Sequence, residues 1–135
     1  MQWLLDTNAW ISLLKSASSA LVQRLAQRQD GEVLLCSVVK AELWHGAHKY
    51  ANREIRLTRL DELFARHRSL PFDDQAAWHY AEIRHHLETR GEVIGPNDLK
   101  IAAICRANRV RLVTANIREF QRVPDLEVED WSTPV

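Results

Sequence analysis

The sequence predicts an α/β fold: a mainly parallel sheet with helices on both faces, a three-layer α/β/α domain. Two observations carry this. Short apolar runs, "WLLD" at the start, "EVLLC" at 32–36 and "RVRLVTA" at 109–115, lack the in–out alternation of a sheet with one wet face, so they read as strands buried on both sides. Between them lie longer stretches with helical spacing, the strand–helix alternation that builds parallel sheets. At 135 residues, without repeat, linker or low-complexity tract, one domain over 1–135 is expected.

The elements follow in order. "TNAWISLL" reads as a helix with Trp10, Ile11 and Leu14 on one side. "SALVQRLAQR", with Leu21 and Leu25 one turn apart, is a second helix. Gly31 introduces the second strand, and Ser37 is placed to cap a helix through "VVKAELWHGAHKY". Asn52 is placed to cap the next helix, whose stripe is Leu57, Leu60 and Phe64, and Pro71 closes that segment. Asp73 caps a long helix carrying Ala76, Tyr80, Ile83 and Leu87, with Gly91 as its stop. "GEVIGP" is a loop. Asn97 starts a helix that turns Ile101, Ala102 and Cys105 inward. After the strand at 109–115 come a turn of helix, "IREF", and a weak last strand in "LEVEDW".

Composition excludes little. The chain is 46% hydrophobic and 27% charged, with 18 basic and 18 acidic residues. Zero net charge does not argue against nucleic acid, which needs a local basic face rather than a basic total. Cys36 and Cys105 lie in apolar stretches, as reduced buried thiols of a cytoplasmic protein do. No signal peptide is visible, and no apolar run nears the roughly 20 residues that span a bilayer.

In parallel sheets, sites lie outside the carboxyl ends of the strands. Asp6 ends strand one; Glu42 follows strand two; Asp98 opens the helix that feeds the strand at 109–115, and Asn116 follows that strand. Singly, each has a plain reading. Asp6 is a favoured helix cap, although Thr7 is able to cap instead. Glu42 is a mid-helix acid, Asp98 suits a first helical turn, and Asn116 suits a turn. Their convergence on one rim is what the plain readings do not require. Clustered acids repel, so a proton or a cation must neutralise them. Their hard oxygen atoms suit Mg²⁺ or Mn²⁺. No Cys/His set has zinc spacing, and there is no G-x-S-x-G, Walker A or G-x-G-x-x-G motif. "DTN" also lacks the second acid of the D-x-D phosphotransferase pattern.

Three stretches then carry a resemblance: "LLDTNAWISLL", "SVVKAELWHGA" and "IGPNDLKIAAICRANRVRLVTANIREFQRVPDLEVEDW". In order and spacing, over nearly the whole chain, they resemble PIN-domain ribonucleases, and more narrowly the VapC toxins of bacterial toxin–antitoxin pairs. The stretch with Gly95, Asp98, Ala102, Ala103 and Thr114 is the most specific. The resemblance implies a metal-dependent endoribonuclease in which Asp6, Glu42 and Asp98 bind divalent metal. Asp6 and Asp98 are assigned as direct ligands, Glu42 as ligand or holder of the attacking water, and Asn116 as an orienting amide. Many PIN domains carry a further Asp at the position of Asn116; Glu119 offers a replacement carboxylate from a different backbone position. Hydrolysis by water leaves a 5′-phosphate and a 3′-hydroxyl. The resemblance also implies a cognate antitoxin, a homodimer and a structured RNA substrate, with initiator tRNA as a candidate.

An acidic site repels phosphate, so basic residues must bring RNA to it. Lys49, Arg53, Arg56 and Arg59 recur in one helical region; Arg84 and Lys100 are the preferred RNA contacts because they are expected to flank the acidic rim. The competing expectation is a PIN-like module that binds RNA or a protein without cleaving.

Overall fold

The computed structural model describes residues 1–15 and 20–133. The described elements are β1 (Trp3–Leu5), α1 (Thr7–Lys15), α2 (Ala20–Ala26), β2 (Val33–Cys36), α3 (Ser37–His48), α4 (Arg53–Phe64), β3 (Ser69–Leu70), α5 (Asp74–Thr89), α6 (Pro96–Asn108), β4 (Arg111–Val113), α7 (Ile117–Phe120) and β5 (Val128–Glu129). The strands form one sheet in the order β3-β2-β1-β4-β5, with every pairing parallel. Two helices make each crossover from β1 to β2, β2 to β3 and β3 to β4.

Every residue of β1 and β2 is buried. Successive strand side chains point to opposite faces, so uninterrupted burial means that both faces are covered, as the unalternating runs predict. The core joins these strands to the inward sides of α3, α5 and α6, including Val39, Leu43, Ile83, Leu87, Ile101 and Ile104. Strand order reverses between β1 and β4. In open parallel sheets that reversal leaves a crevice at the carboxyl ends of the two strands. Asp6 follows β1 and Thr114 follows β4, so both stand at that crevice.

Several local expectations hold. Asp73 caps α5, its Oδ1 accepting from the Ala76 N–H at 3.0 Å. Gly91 follows that helix at φ +65°, a left-handed conformation that glycine adopts without a Cβ clash. The helix expected to start at Asn97 begins one residue earlier, at Pro96 of the expected loop, in the first position of α6 where its missing N–H costs nothing.

Others do not. Ser37 is not a cap: the cap position is Cys36, and Ser37 is the exposed first residue of α3. Asn52 occupies its cap position without a capping bond, because its Oδ1 accepts from Arg56 Nε instead. β3 goes unpredicted, since two residues before Pro71 carry no periodicity. Leu14 is 54% exposed rather than packed inward, because it borders an open groove between α1, α3 and α4. The expected start of the second helix at Ser19 lies outside the described residues.

Candidate active site

The crevice gathers its acids from four elements. Asp6 comes from the end of β1, Glu42 from the second turn of α3, Asp98 from the first turn of α6, and Glu119 from α7. Asp6 does cap α1: its Oδ1 accepts from the Ala9 N–H at 2.9 Å. Thr7, the alternative cap, instead donates its hydroxyl to Glu42 Oε1 at 2.5 Å. Capping and site placement are therefore not exclusive at Asp6. The cap pins one oxygen atom while the strand end holds the carboxylate at the crevice.

Neutral polar side chains tie the acids together. Asn97 donates to Glu42 Oε2 at 3.4 Å, linking the start of α6 to α3. Thr114 hydrogen-bonds the Asp6 carboxylate and accepts from the Asn116 N–H at 3.0 Å. Asn116 turns its amide to Glu119 Oε2. One polar chain thus runs from Glu119 through Asn116 and Thr114 to Asp6, and a second from Thr7 through Glu42 to Asn97. Among the described residues, no ion pair reaches Asp6, Glu42, Asp98 or Glu119.

The electrostatics follow. Asp98 stands in the first turn of α6, where the helix dipole favours a carboxylate. Its carboxyl is nevertheless pushed up to about 6, by burial first and then by the charges of Glu119, Asp6 and Glu42. Desolvation and like charge outweigh the dipole. Asp6 is raised as well, chiefly by burial. The bonds from Thr114 and the Ala9 N–H pull it back, and the charges of Glu42 and Asp130 push it further up. Asp98 thus feels all three of the other rim acids, and Asp130, from the acidic tail, adds to the field at Asp6.

As placed, however, no three His, Cys, Asp or Glu side chains among the described residues close into a group that would hold a metal ion. The acids form a loose cluster rather than a finished cage. Their donor chemistry fits a hard divalent cation, and the raised carboxyls of Asp6 and Asp98 mark buried, uncompensated negative charge that such a cation would offset.

The basic residues are divided between different parts of the surface. Arg84 is exposed on α5, beside Glu88 at 3.8 Å, and borders a separate cleft of about 290 Å³ with Pro96 and Leu99. Lys100 lies two residues past Asp98 on α6, roughly 200° around the helix axis from it. Neither lines the groove that contains Glu42. That groove is bordered instead by Lys15, Lys49, Arg56 and Arg59.

The family model described as "PIN domain" matches residues 3–126. The chain belongs to the PIN-domain family. Within it, the VapC proteins are its relatives along their whole length. The tRNA(fMet)-specific endonuclease VapC of Shigella flexneri is 36% identical over 98% of this chain and 99% of its own. Ribonuclease VapC2 of Rickettsia felis is 33% identical over 97% of this chain and 98% of its own. The DNA-bound VapBC structure from Salmonella typhimurium superposes with a TM-score of 0.90 at 32% identity, over 97% of this chain and 98% of that one. The PIN fold of those complexes is thus the fold of this chain, with the five-stranded parallel sheet at its centre.

Thr7, Asn97 and Thr114 are visible in the sequence only as an alternative cap, a helix start and part of the most specific stretch of this PIN domain; their roles in the acidic crevice are not. The Thr7–Glu42 and Asn97–Glu42 bonds span 35 and 55 residues of chain, so only the packing of α1, α3 and α6 reveals them.

Proposed function

We propose that this PIN domain is a metal-dependent endoribonuclease, the toxin of a toxin–antitoxin pair, acting in the cytoplasm on structured RNA. The observation that carries the reading is the uncompensated acid cluster at the β1–β4 crevice, with Asp98 raised to about 6. VapC relatives named as ribonucleases and a tRNA(fMet)-specific endonuclease support it, with initiator tRNA as the candidate substrate. A cognate antitoxin is the expected partner, since the neighbouring structures are VapBC complexes. A homodimer is expected by the same kinship.

Asp6 and Asp98 are the ligands of Mg²⁺ or Mn²⁺ in this reading, and Glu42 and Glu119 complete the acidic set. When bound, the cation neutralises the phosphodiester and lowers the pKa of water. The chain's own groups do the rest. Glu42, held at both oxygen atoms by Thr7 and Asn97, is fixed to orient the attacking water and accept its proton. Asn116 keeps Glu119 turned to the rim. Thr114 fixes the Asp6 carboxylate. Water adds to phosphorus, the 3′-oxygen leaves and takes a proton, and the products are a 5′-phosphate and a 3′-hydroxyl.

The test is incubation of the purified protein with total RNA in Mg²⁺ and in EDTA. Cleavage in Mg²⁺ alone, lost in Asp6→Asn, is the expected result. Equal cleavage in rigorously metal-free conditions overturns the mechanism, and RNA binding without cleavage in Mg²⁺ favours the non-cleaving module. Expressing the chain alone slows growth on this account, and co-expressing the adjacent antitoxin gene restores it.

A further inference from the structure

Between α1, α3 and α4 runs an open groove of about 380 Å³ whose lining includes Glu42. Its floor is apolar, with Ile11, Leu43 and Leu60, and its rim is cationic, with Lys15, Lys49, Arg56 and Arg59. Among the described residues none of these four cations takes part in an ion pair. Tyr50, 48% exposed, stands on the same rim, and the Arg56 guanidinium lies over its ring at 3.6 Å. Asn52 Oδ1 accepts from Arg56 Nε at 3.0 Å and fixes that arrangement. A preset aromatic–guanidinium pair flanked by cations is the chemistry that receives an unpaired base and its phosphates.

We propose that this groove is the track by which a single-stranded segment of the RNA substrate reaches the acids, one base stacking against the Tyr50–Arg56 pair and flanking phosphates resting on Lys49 and Arg59. The proposal rests on the ribonuclease reading and names its substrate path. It replaces Arg84 and Lys100, the contacts expected from sequence, because the groove, unlike their surroundings, contains Glu42. Charge complementarity favours a polyanion over an apolar protein segment.

The test is fluorescence anisotropy of a labelled single-stranded RNA oligonucleotide with metal-free protein in EDTA, over a series of salt concentrations starting low, alongside the Mg²⁺ cleavage assay. Tyr50→Ala is expected to weaken binding about tenfold, within the range for one stacked base, and Tyr50→Phe to restore it. The double variant Lys49→Ala/Arg59→Ala is expected to flatten the salt dependence by roughly 0.7 for each phosphate it no longer neutralises, whereas Arg84→Ala leaves it unchanged. If wild type binds and cleaves while the groove variants bind as tightly with the same salt slope, the track is refuted and the ribonuclease reading stands. If those variants lose only affinity for the antitoxin, the groove is a protein site and the track is refuted. A wild type that neither binds nor cleaves RNA overturns the ribonuclease reading itself.

Discussion

Glu129 and Asp130 are neighbours in the chain, yet they belong to opposite kinds of acid cluster. Burial by itself would raise the Glu129 carboxyl. Donors from the Trp131 and Trp3 indoles and from Arg111 overcome that, and it is held below the usual range. Arg111 reaches Glu129 at 2.9 Å and Glu127 at 2.7 Å, while Arg28 lies over the Trp3 ring at 4.2 Å. Both of those glutamates have a cationic partner within the protein. Asp130 instead adds its charge to Asp6, in a crevice where burial and mutual repulsion lift Asp98 to about 6. The first cluster is finished when the chain folds; the second stays in deficit until something positive arrives. Residue type does not separate the two. Partners do.

The largest expected effect on this contrast is on activity. Asp6→Asn or Asp98→Asn removes a proposed metal ligand, and RNA cleavage in Mg²⁺ should fall by more than about 100-fold, since outer-shell partners alone cost about 10–100-fold. Glu129→Gln should leave cleavage near wild type under the same assay. Equal losses at the two clusters would erase the distinction drawn between them.

Stability should respond in the reverse sense. Arg111→Ala strands Glu129 without its cationic donor and is expected to destabilise the protein by about 1–3 kcal/mol, read by urea unfolding. Asp98→Asn in EDTA should do the opposite and raise the unfolding midpoint, because relief of repulsion outweighs the roughly 0.3–1 kcal/mol of dipole interaction that is given up.

The pH dependence has a definite sign. Asp98's folded value, about 6, lies above its ordinary 3.8, so the folded state holds a proton that the unfolded chain has released. The stabilisation is fully present below the ordinary value and is lost as pH rises through about 6. Metal-free wild type should lose on the order of 1 kcal/mol between pH 4 and pH 7, since partial exposure of Asp98 reduces the full linkage value. Asp98→Asn should flatten that decline, and Glu129→Gln should not.

A local effect is expected at Asn116. Asn116→Ala frees Glu119 from its amide and should weaken Mg²⁺ binding about tenfold, at the low end for an outer-shell partner, measured by calorimetric titration.

The sheet was legible because burial on both faces writes itself as unbroken apolar runs, as at Leu34 and Leu35, both fully buried. Once the strands are parallel, their carboxyl ends share an edge, and the approach of Asp6, Glu42 and Asp98 follows from topology. What topology does not encode is pairing across elements. Whether Thr7 caps α1 or holds Glu42 depends on how α1 and α3 pack, and whether Leu14 is buried depends on how far α4 stands from α1. The basic residues were the least legible. Arg84 and Arg56 look alike in a helical sequence, and only the fold places Arg84 beside Glu88 and Arg56 over Tyr50.

The central claim, that the crevice acids are held in deficit for a cation, is tested most directly by denaturant unfolding of wild type and Asp98→Asn at neutral pH, in EDTA and in excess Mg²⁺. The account predicts that Asp98→Asn is the more stable protein in EDTA. It also predicts that Mg²⁺ stabilises wild type, by about 1.4 kcal/mol at ten times the dissociation constant, and the variant by much less. An Asp98→Asn protein that is less stable in EDTA and still gains the full wild-type increment from Mg²⁺ would make Asp98 a helix-end residue only and would contradict the account.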